Sequence, residues 1–241
     1  MVSICQSQDT SASLFQHSLA IPCPFGVLEG RMIFTDAHHT GPGAVICPPH
    51  PLLAGNMDNN VITAIASTLA SHCPVLLFNY RGVGCSDSPQ NHLPLYELWK
   101  GIDAAAAYGE IGQDLRTILA YTATLFRGIH LVGYSFGSYI ALEAVNDSVA
   151  SFIAIAPPLS EHDYSALFDL TIPTLVLLAE QDTLLGTLPP LPESFRGRCH
   201  HIPASDHFFR KREQELATRI LTFIREIPNT NSHEETISSS R

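Results

Sequence analysis

Gly128-Ile129-His130-Leu131-Val132-Gly133-Tyr134-Ser135-Phe136-Gly137-Ser138-Tyr139-Ile140-Ala141-Leu142 is the stretch on which the reading of the chain turns. Ile129 to Val132 is a short, β-prone apolar run, and Ile140, Ala141 and Leu142 continue at helix-compatible spacing after Gly137. Between them, Gly133-Tyr134-Ser135-Phe136-Gly137 fits Gly-x-Ser-x-Gly. Glycines two residues either side of a serine let a strand and the next helix come close enough for a tight turn, with the serine hydroxyl exposed at its tip. Five residues with two free positions are weak by themselves, and an ordinary glycine-flanked helix cap is the competing reading. The strand before and the helix after favour Ser135 as a nucleophile.

A nucleophilic serine needs a base and an acid that orients the base. Thr174 to Ala179 is strongly apolar and is followed by Glu180-Gln181-Asp182, which puts Asp182 just past a strand end. Ala204-Ser205-Asp206-His207-Phe208-Phe209 follows a short segment, Cys199 to Ile202, and precedes a clear terminal helix, Glu213 to Ile227. Asp163 and Asp206 are the reserve acids. Asp206 adjoins His207, a spacing that points its carboxylate away from the neighbouring ring. The plainer alternatives are a turn-forming aspartate at 182 and a half-buried structural histidine at 207.

The chain resembles the α/β-hydrolase superfamily, and within it the small, nearly lidless hydrolases. The segments that carry the likeness are His50-Pro51-Leu52-Leu53-Ala54-Gly55-Asn56-Met57-Asp58-Asn59, Arg81-Gly82-Val83-Gly84-Cys85-Ser86, Gly133 to Gly137, and Asp206-His207-Phe208-Phe209. The resemblance implies a three-layer α/β fold with a mostly parallel central sheet, helices on both faces and a minimal lid. It implies Ser135 as nucleophile, Asp182 as acid and His207 as base, with no cofactor and no metal. It also implies that the loop after the strand Ala44 to Cys47 supplies one oxyanion-binding backbone N–H, the other coming from the residue after the nucleophile. Pro51 has no N–H, so the expected donors are Leu52 and Phe136.

Composition agrees. A chain of 241 residues, 45% of them hydrophobic, is long enough for one α/β domain with a sizeable core. Thirteen Lys and Arg against 23 Asp and Glu give a formal net charge of −10, which repels a phosphate backbone and disfavours nucleic-acid binding. Partial protonation of the 12 histidines below about pH 7 would soften that charge. The cysteines at 5, 23, 47, 73, 85 and 199 show no Cys-x-x-Cys and read as free thiols in a reducing compartment. The segment Met1 to Asp9 lacks the basic start and apolar core of a signal peptide, and no run approaches transmembrane length. The expectation is a soluble, cytoplasmic protein without membrane insertion. Residues 1–15 read as a flexible N-terminus, 16–227 as a single domain and 228–241 as a disordered polar tail.

Strands are expected at Leu19 to Pro22 and Val27 to Phe34 (antiparallel), Pro74 to Asn79 and Val149 to Ala156, and helices at Asn59 to Ala70 and Ile111 to Phe126. Prolines 189, 190 and 192 leave room for only a short helix within Thr187 to Arg198. Leu159 to Leu170 is too short for a large lid, which leaves a shallow, open cleft. His50 either positions substrate or hydrogen-bonds structurally at its turn. His38 and His39 have no acidic or cysteine partner at metal-ligand spacing. Gly82-Val83-Gly84 lacks the third glycine and the later acidic residue of a dinucleotide loop, so Arg81 reads as a structural ion-pair partner. Glu110 and Asp114, one turn apart, suit a helix N-terminus better than paired acid–base catalysis. The segment 85–108, with Pro89, Pro94, Leu95, Leu98 and Trp99, is either an apolar pocket wall or core packing. The candidate substrate pocket is His50, Leu98, Trp99 and Tyr134.

The expected activity is hydrolysis of a small carboxylic ester or thioester through an acyl-enzyme, since such leaving groups need less protonation than amines. The partner is a small-molecule acyl substrate. Peptidase or amidase activity, a biosynthetic acyltransferase, cyclase or C–C bond hydrolase, and a non-catalytic binding or scaffold role are the rival readings, because a fold does not fix a reaction.

Overall fold

A computed structural model of the protein describes residues 13–36, 38–183 and 198–227. The terminal segments 1–12 and 228–241 and the expected short helix between 187 and 197 lie outside the described residues. Among the described residues eight strands form one sheet: β1 (Phe15–Cys23), β2 (Gly26–Phe34), β3 (Gly43–Cys47), β4 (Val75–Phe78), β5 (Ile129–Tyr134), β6 (Val149–Ile155), β7 (Thr174–Ala179) and β8 (Cys199–Ile202). Their spatial order is β1-β2-β4-β3-β5-β6-β7-β8. β1 pairs antiparallel with β2 and β2 with β4, and every other pairing is parallel. β1 begins at Phe15, four residues before the expected Leu19 and inside the stretch read from sequence as a loose N-terminus, because its register with β2 runs from Phe15 opposite Phe34 to Cys23 opposite Gly26.

The central strands are mostly apolar because both faces are covered. β3, β4, β5 and β7 are buried along their whole length. Side chains alternate between the two faces of a strand. Val45, Leu76, Leu131, Phe152 and Val176 point to one core, and Ala44, Leu77, Val132, Ile153 and Leu177 point to the other.

Helices α1 (Asn60–Leu69) and α6 (Glu213–Glu226) cover the second face, burying Val61, Ile62, Ile65 and Leu69 from one and Leu216, Ile220 and Ile224 from the other. Asn59 caps α1 by accepting from the Val61 and Ile62 amides. Helices α2 (Leu95–Ala104), α3 (Tyr108–Ala123), α4 (Phe136–Ala144) and the single turn α5 (Ser165–Phe168) cover the first. This is the three-layer α/β architecture, and the connection from β6 to β7 holds only α5, so no lid domain stands over the sheet between those strands.

α3 begins at Tyr108, three residues before the expected Ile111, and stops at Ala123 rather than Phe126. At its start, Ala106 with φ of 48° reverses the chain out of α2 and Ala107 occupies the N-cap position. At its end, the Thr124, Leu125 and Phe126 amides turn back onto the Tyr121 and Thr122 carbonyls. Arg81 is an ion-pair partner: its Nε donates to Asp114 Oδ2 at 2.8 Å, its Nη2 to Asp114 Oδ1 at 3.0 Å and its Nη1 to Glu110. The two carboxylates on the first turns of α3 therefore hold the loop after β4.

Within the segment 85–108, Leu95–Ala104 form α2, and here the pocket-wall reading of Leu98 and Trp99 is corrected. Leu98 is 3% exposed and Trp99 0%. Along α2, Leu98, Trp99 and Ile102 are the buried positions, i, i+1 and i+4, so the apolar stripe of the helix turns into the sheet. The Trp99 indole N–H donates to the Arg81 carbonyl at 3.2 Å, and its ring packs against Tyr80 and Phe136. Truncation of Trp99 to alanine is expected to lower unfolding free energy by about 3–5 kcal/mol in urea denaturation, the cost of a large buried aromatic cavity. A loss under about 1 kcal/mol would contradict its place in the core.

Candidate active site

Ser135 sits where β5 gives way to α4, with φ of 53° and ψ of −124°. Few non-glycine residues adopt such a backbone, and holding one there costs on the order of 1–3 kcal/mol. The flanking glycines make the turn sterically feasible. A Cβ on Gly133 would overlap the backbone of Gly137 and Ser138, and one on Gly137 would overlap the carbonyl oxygens of Cys47 and Pro48. The Ser135 amide donates to the Ile155 carbonyl at 2.8 Å, and its own carbonyl accepts from the Ser138 amide and hydroxyl. The backbone of the turn is thus held on both sides, and none of these bonds uses the side-chain hydroxyl of Ser135.

Asp182 follows β7, with its side chain 1% exposed, and His207 follows β8. His207 Nδ1 lies 2.7 Å from Asp182 Oδ2, and His207 Nε2 lies 3.0 Å from Ser135 Oγ. A carboxylate can only accept, so Nδ1 carries the ring proton and Nε2 is left to accept from the Ser135 hydroxyl. The three side chains form a continuous relay from acid to base to serine.

The loops that carry acid and base are tied together. The Gln181 amide donates to the Ser205 carbonyl at 2.9 Å, the Ala204 amide to Glu180 Oε2 at 2.8 Å, and the Tyr134 hydroxyl to the His207 carbonyl at 2.9 Å. The reserve acids are engaged elsewhere. Asp206 accepts from the Phe208 and Arg210 amides, and Asp163 caps the Ser165 amide, which holds its carboxyl below the usual carboxylate range.

Of the two expected oxyanion donors, the Phe136 amide stands at the first position of α4, where no intrahelical carbonyl reaches it. The Leu52 amide, in the 3-10 turn Pro51–Leu53, points to His50 Nδ1 across a long 3.3 Å. His50 therefore combines the two roles left open by the sequence: it caps this turn, and it lines the cavity beside the serine.

That cavity is about 290 Å³ and is lined by His50, Leu53, Asp103, Tyr108, Ser135, Phe136, Pro158, Glu161, His162 and His207. Of the four expected pocket residues only His50 faces it. Tyr134 is 2% exposed and is spent on the His207 carbonyl; Leu98 is in the core beside Gly82, and Trp99 lies behind His50, its ring edge-on to it at 5.1 Å. Sequence reading missed Asp103, Tyr108, Glu161 and His162. The helical spacing held a usable signal for one of them, since Asp103 is one turn beyond Trp99 on α2 and reaches His50 Nε2 at 3.1 Å. His162 stacks on Tyr139 at 4.2 Å and 7°, a tertiary contact that nothing in the local sequence announces. Among the described residues there is no group of three or more His, Cys, Asp or Glu arranged to hold a metal ion, and no helix is long and apolar enough to cross a membrane.

Known proteins share this architecture. Over 233 residues the chain is 27% identical to an uncharacterized protein of Rickettsia prowazekii, covering 90% of this chain and 92% of that one. A structure from Xanthomonas campestris, described as a member of the a/b serine hydrolases without lid, superposes with a TM-score of 0.71 at 24% identity, covering 89% of this chain and 96% of that one. An alpha-beta serine hydrolase homologue from Coxiella burnetii gives 0.65 at 25% identity, covering 86% and 96% respectively. Residues 38–170, more than half of the chain, match the family described as alpha/beta hydrolase fold. With that match, the mostly parallel sheet and the Asp182–His207–Ser135 relay at the ends of its strands, the chain belongs to the alpha/beta hydrolase fold family.

Proposed function

We propose that this protein is a serine hydrolase that cleaves a small carboxylic ester or thioester through an acyl-enzyme, with Ser135 as nucleophile, His207 as base and Asp182 as orienting acid. The observation that carries the reading is the relay itself, 2.7 Å from Asp182 to His207 and 3.0 Å from His207 to Ser135, ending on a serine in a strained turn.

In this mechanism His207 Nε2 takes the Ser135 proton as Oγ attacks the carbonyl carbon, and Asp182 stabilises the imidazolium. Negative charge develops on the substrate oxygen. The Phe136 amide at the N-terminus of α4 donates to it, helped by the helix dipole. The Leu52 amide supplies the second hydrogen bond: a full negative charge competes well for an N–H held only by a long 3.3 Å bond to an imidazole nitrogen. His207 then gives its proton to the leaving alcohol or thiol. Water, deprotonated by the same ring, releases the acid and restores the serine. A cavity of about 290 Å³ suits a small substrate.

A fluorophosphonate probe is expected to label the wild-type protein at Ser135, and Ser135→Ala is expected to abolish labelling with an unchanged circular dichroism spectrum. An adduct of equal yield on another serine of the variant would end this assignment. Replacing Asp182 by asparagine is expected to lower kcat for p-nitrophenyl acetate by about 10³ to 10⁴-fold, because the histidine loses the partner that fixes its tautomer. A loss below tenfold would move the acid role to another carboxylate.

A further inference from the structure

The cavity beside Ser135 contains two carboxylates and, among the described residues that line it, no lysine or arginine. Asp103 is fixed in place: its Oδ1 accepts from His50 Nε2 at 3.1 Å and from the Tyr108 hydroxyl at 3.2 Å. His50 Nδ1 accepts from the Leu52 amide, so the ring turns its Nε2 proton to Asp103. Asp103 is thus held by one imidazole and one phenol, with no lysine or arginine of the described lining beside it. The Tyr108 phenol, pushed up to about 12 by burial and then by the charge of Asp103, stays protonated. Burial pushes the His162 imidazole down, so it adds no positive charge near neutral pH. Glu161 lies on the same cavity.

The other walls are aromatic. Tyr108 and Phe136 meet at 5.3 Å and 64°, and His162 closes on Phe136 at 6.0 Å and 59° and on Tyr108 at 5.5 Å and 88°. Inclined rings turn both faces and edges to the space between them, and the face of a phenyl or phenol ring is negative. A carboxylate with no lysine or arginine beside it in the cavity and a set of aromatic faces are independent features, and both favour the same kind of guest. Each opposes an anion. A neutral aliphatic group would fill the volume and leave the Asp103 charge desolvated without compensation.

We propose that the substrate carries a single positive charge, an ammonium or quaternary ammonium group in its alcohol or acyl part, and that Asp103 with the Tyr108 and Phe136 rings selects for it. This rests on the serine-hydrolase reading and names the substrate class for that site. Asp103 is a specificity-determining residue and takes no part in the proton relay.

The test uses isosteric pairs that differ only in charge. Choline butyrate is compared with 3,3-dimethylbutyl butyrate, and the p-nitrophenyl ester of 4-(trimethylammonio)butyrate with that of 5,5-dimethylhexanoate. A charge in the right place is expected to raise kcat/KM by about tenfold, equivalent to about 1.4 kcal/mol, in at least one pair. The pair that responds tells whether the alcohol or the acyl group enters the cavity. Asp103→Asn is expected to bring that ratio close to one, an effect on discrimination that a merely structural role would not produce. Tetramethylammonium is expected to slow fluorophosphonate labelling of Ser135 at concentrations where tert-butanol does not, which reads the site even without turnover. If the probe labels Ser135 normally but both pairs show equal or lower kcat/KM for the charged member and tetramethylammonium gives no protection, the charge selection is overturned alone. If the probe does not label Ser135 at all, the serine-hydrolase reading falls and this inference with it.

Discussion

The structure depends on how closely α4 can approach the strands it follows. Gly137 lies against the carbonyls of Cys47 and Pro48, so the first turn of α4 touches the end of β3, while Gly133 lies against Ser138 on the same turn. That contact does three things at once. It forces Ser135 to φ of 53°, it brings the Phe136 amide out at the tip of the helix, and it sets the loop after β3 beside the serine. A side chain at either glycine would push helix and strand apart and separate these parts. The strain at Ser135 persists because the surrounding hydrogen bonds, from Ser135 to the Ile155 carbonyl and from Ser138 back to Ser135, over-determine the turn.

The parallel sheet then delivers the other groups to the same place. In a parallel sheet all carboxyl ends of the strands lie along one edge, and ligands bind outside that edge. β5 leads into Ser135, β7 into Asp182, and β8 into the His207 loop, each from a different strand in register with its neighbour. The remaining freedom is in the loops, and it is removed locally. Glu180 and Gln181 bind the Ala204–Ser205 backbone, and Tyr134 binds the His207 carbonyl. The loops that carry acid and base are therefore held by these three hydrogen bonds besides those of the triad itself, one between main chains and two between a side chain and the main chain.

Behind the cavity wall a second network carries the same logic outward. Arg81, 6% exposed at its side chain, is held by Asp114 and Glu110; its carbonyl receives the Trp99 indole; the Trp99 ring supports His50; and His50 joins the Leu52 amide to Asp103. The oxyanion loop and the charged wall of the cavity are thus two ends of one imidazole. Removing one partner of a buried pair such as Arg81–Asp114 leaves an uncompensated charge, which explains why this connection is built from bidentate hydrogen bonds instead of a single contact.

How much of this was legible depended on range. The α/β layering, most strands, and the identities of Ser135, Asp182 and His207 could be read from sequence, because uniformly apolar runs mark strands buried on both faces and Gly-x-Ser-x-Gly marks a turn whose sterics are local. The exclusion of Asp206 was local too, since a carboxylate next to its histidine turns back to cap its own loop. Segment 85–108 was not legible in this way. Its apolar residues fit a pocket wall and a core equally well, and only packing against the sheet decided that Leu98 and Trp99 go inside and Asp103 and Tyr108 face the cavity. Tyr134 was misread for the same reason: its neighbour in sequence is the nucleophile, but alternation along β5 sends its side chain to the opposite core, where it meets the His207 carbonyl. Sequence by itself determined the fold and the reacting groups, which rest on short-range periodicity and turn chemistry. The charge and shape of the cavity came only from tertiary structure, because Asp103, Tyr108, Glu161 and His162 come from two connections far apart in the chain that meet only when the sheet has formed.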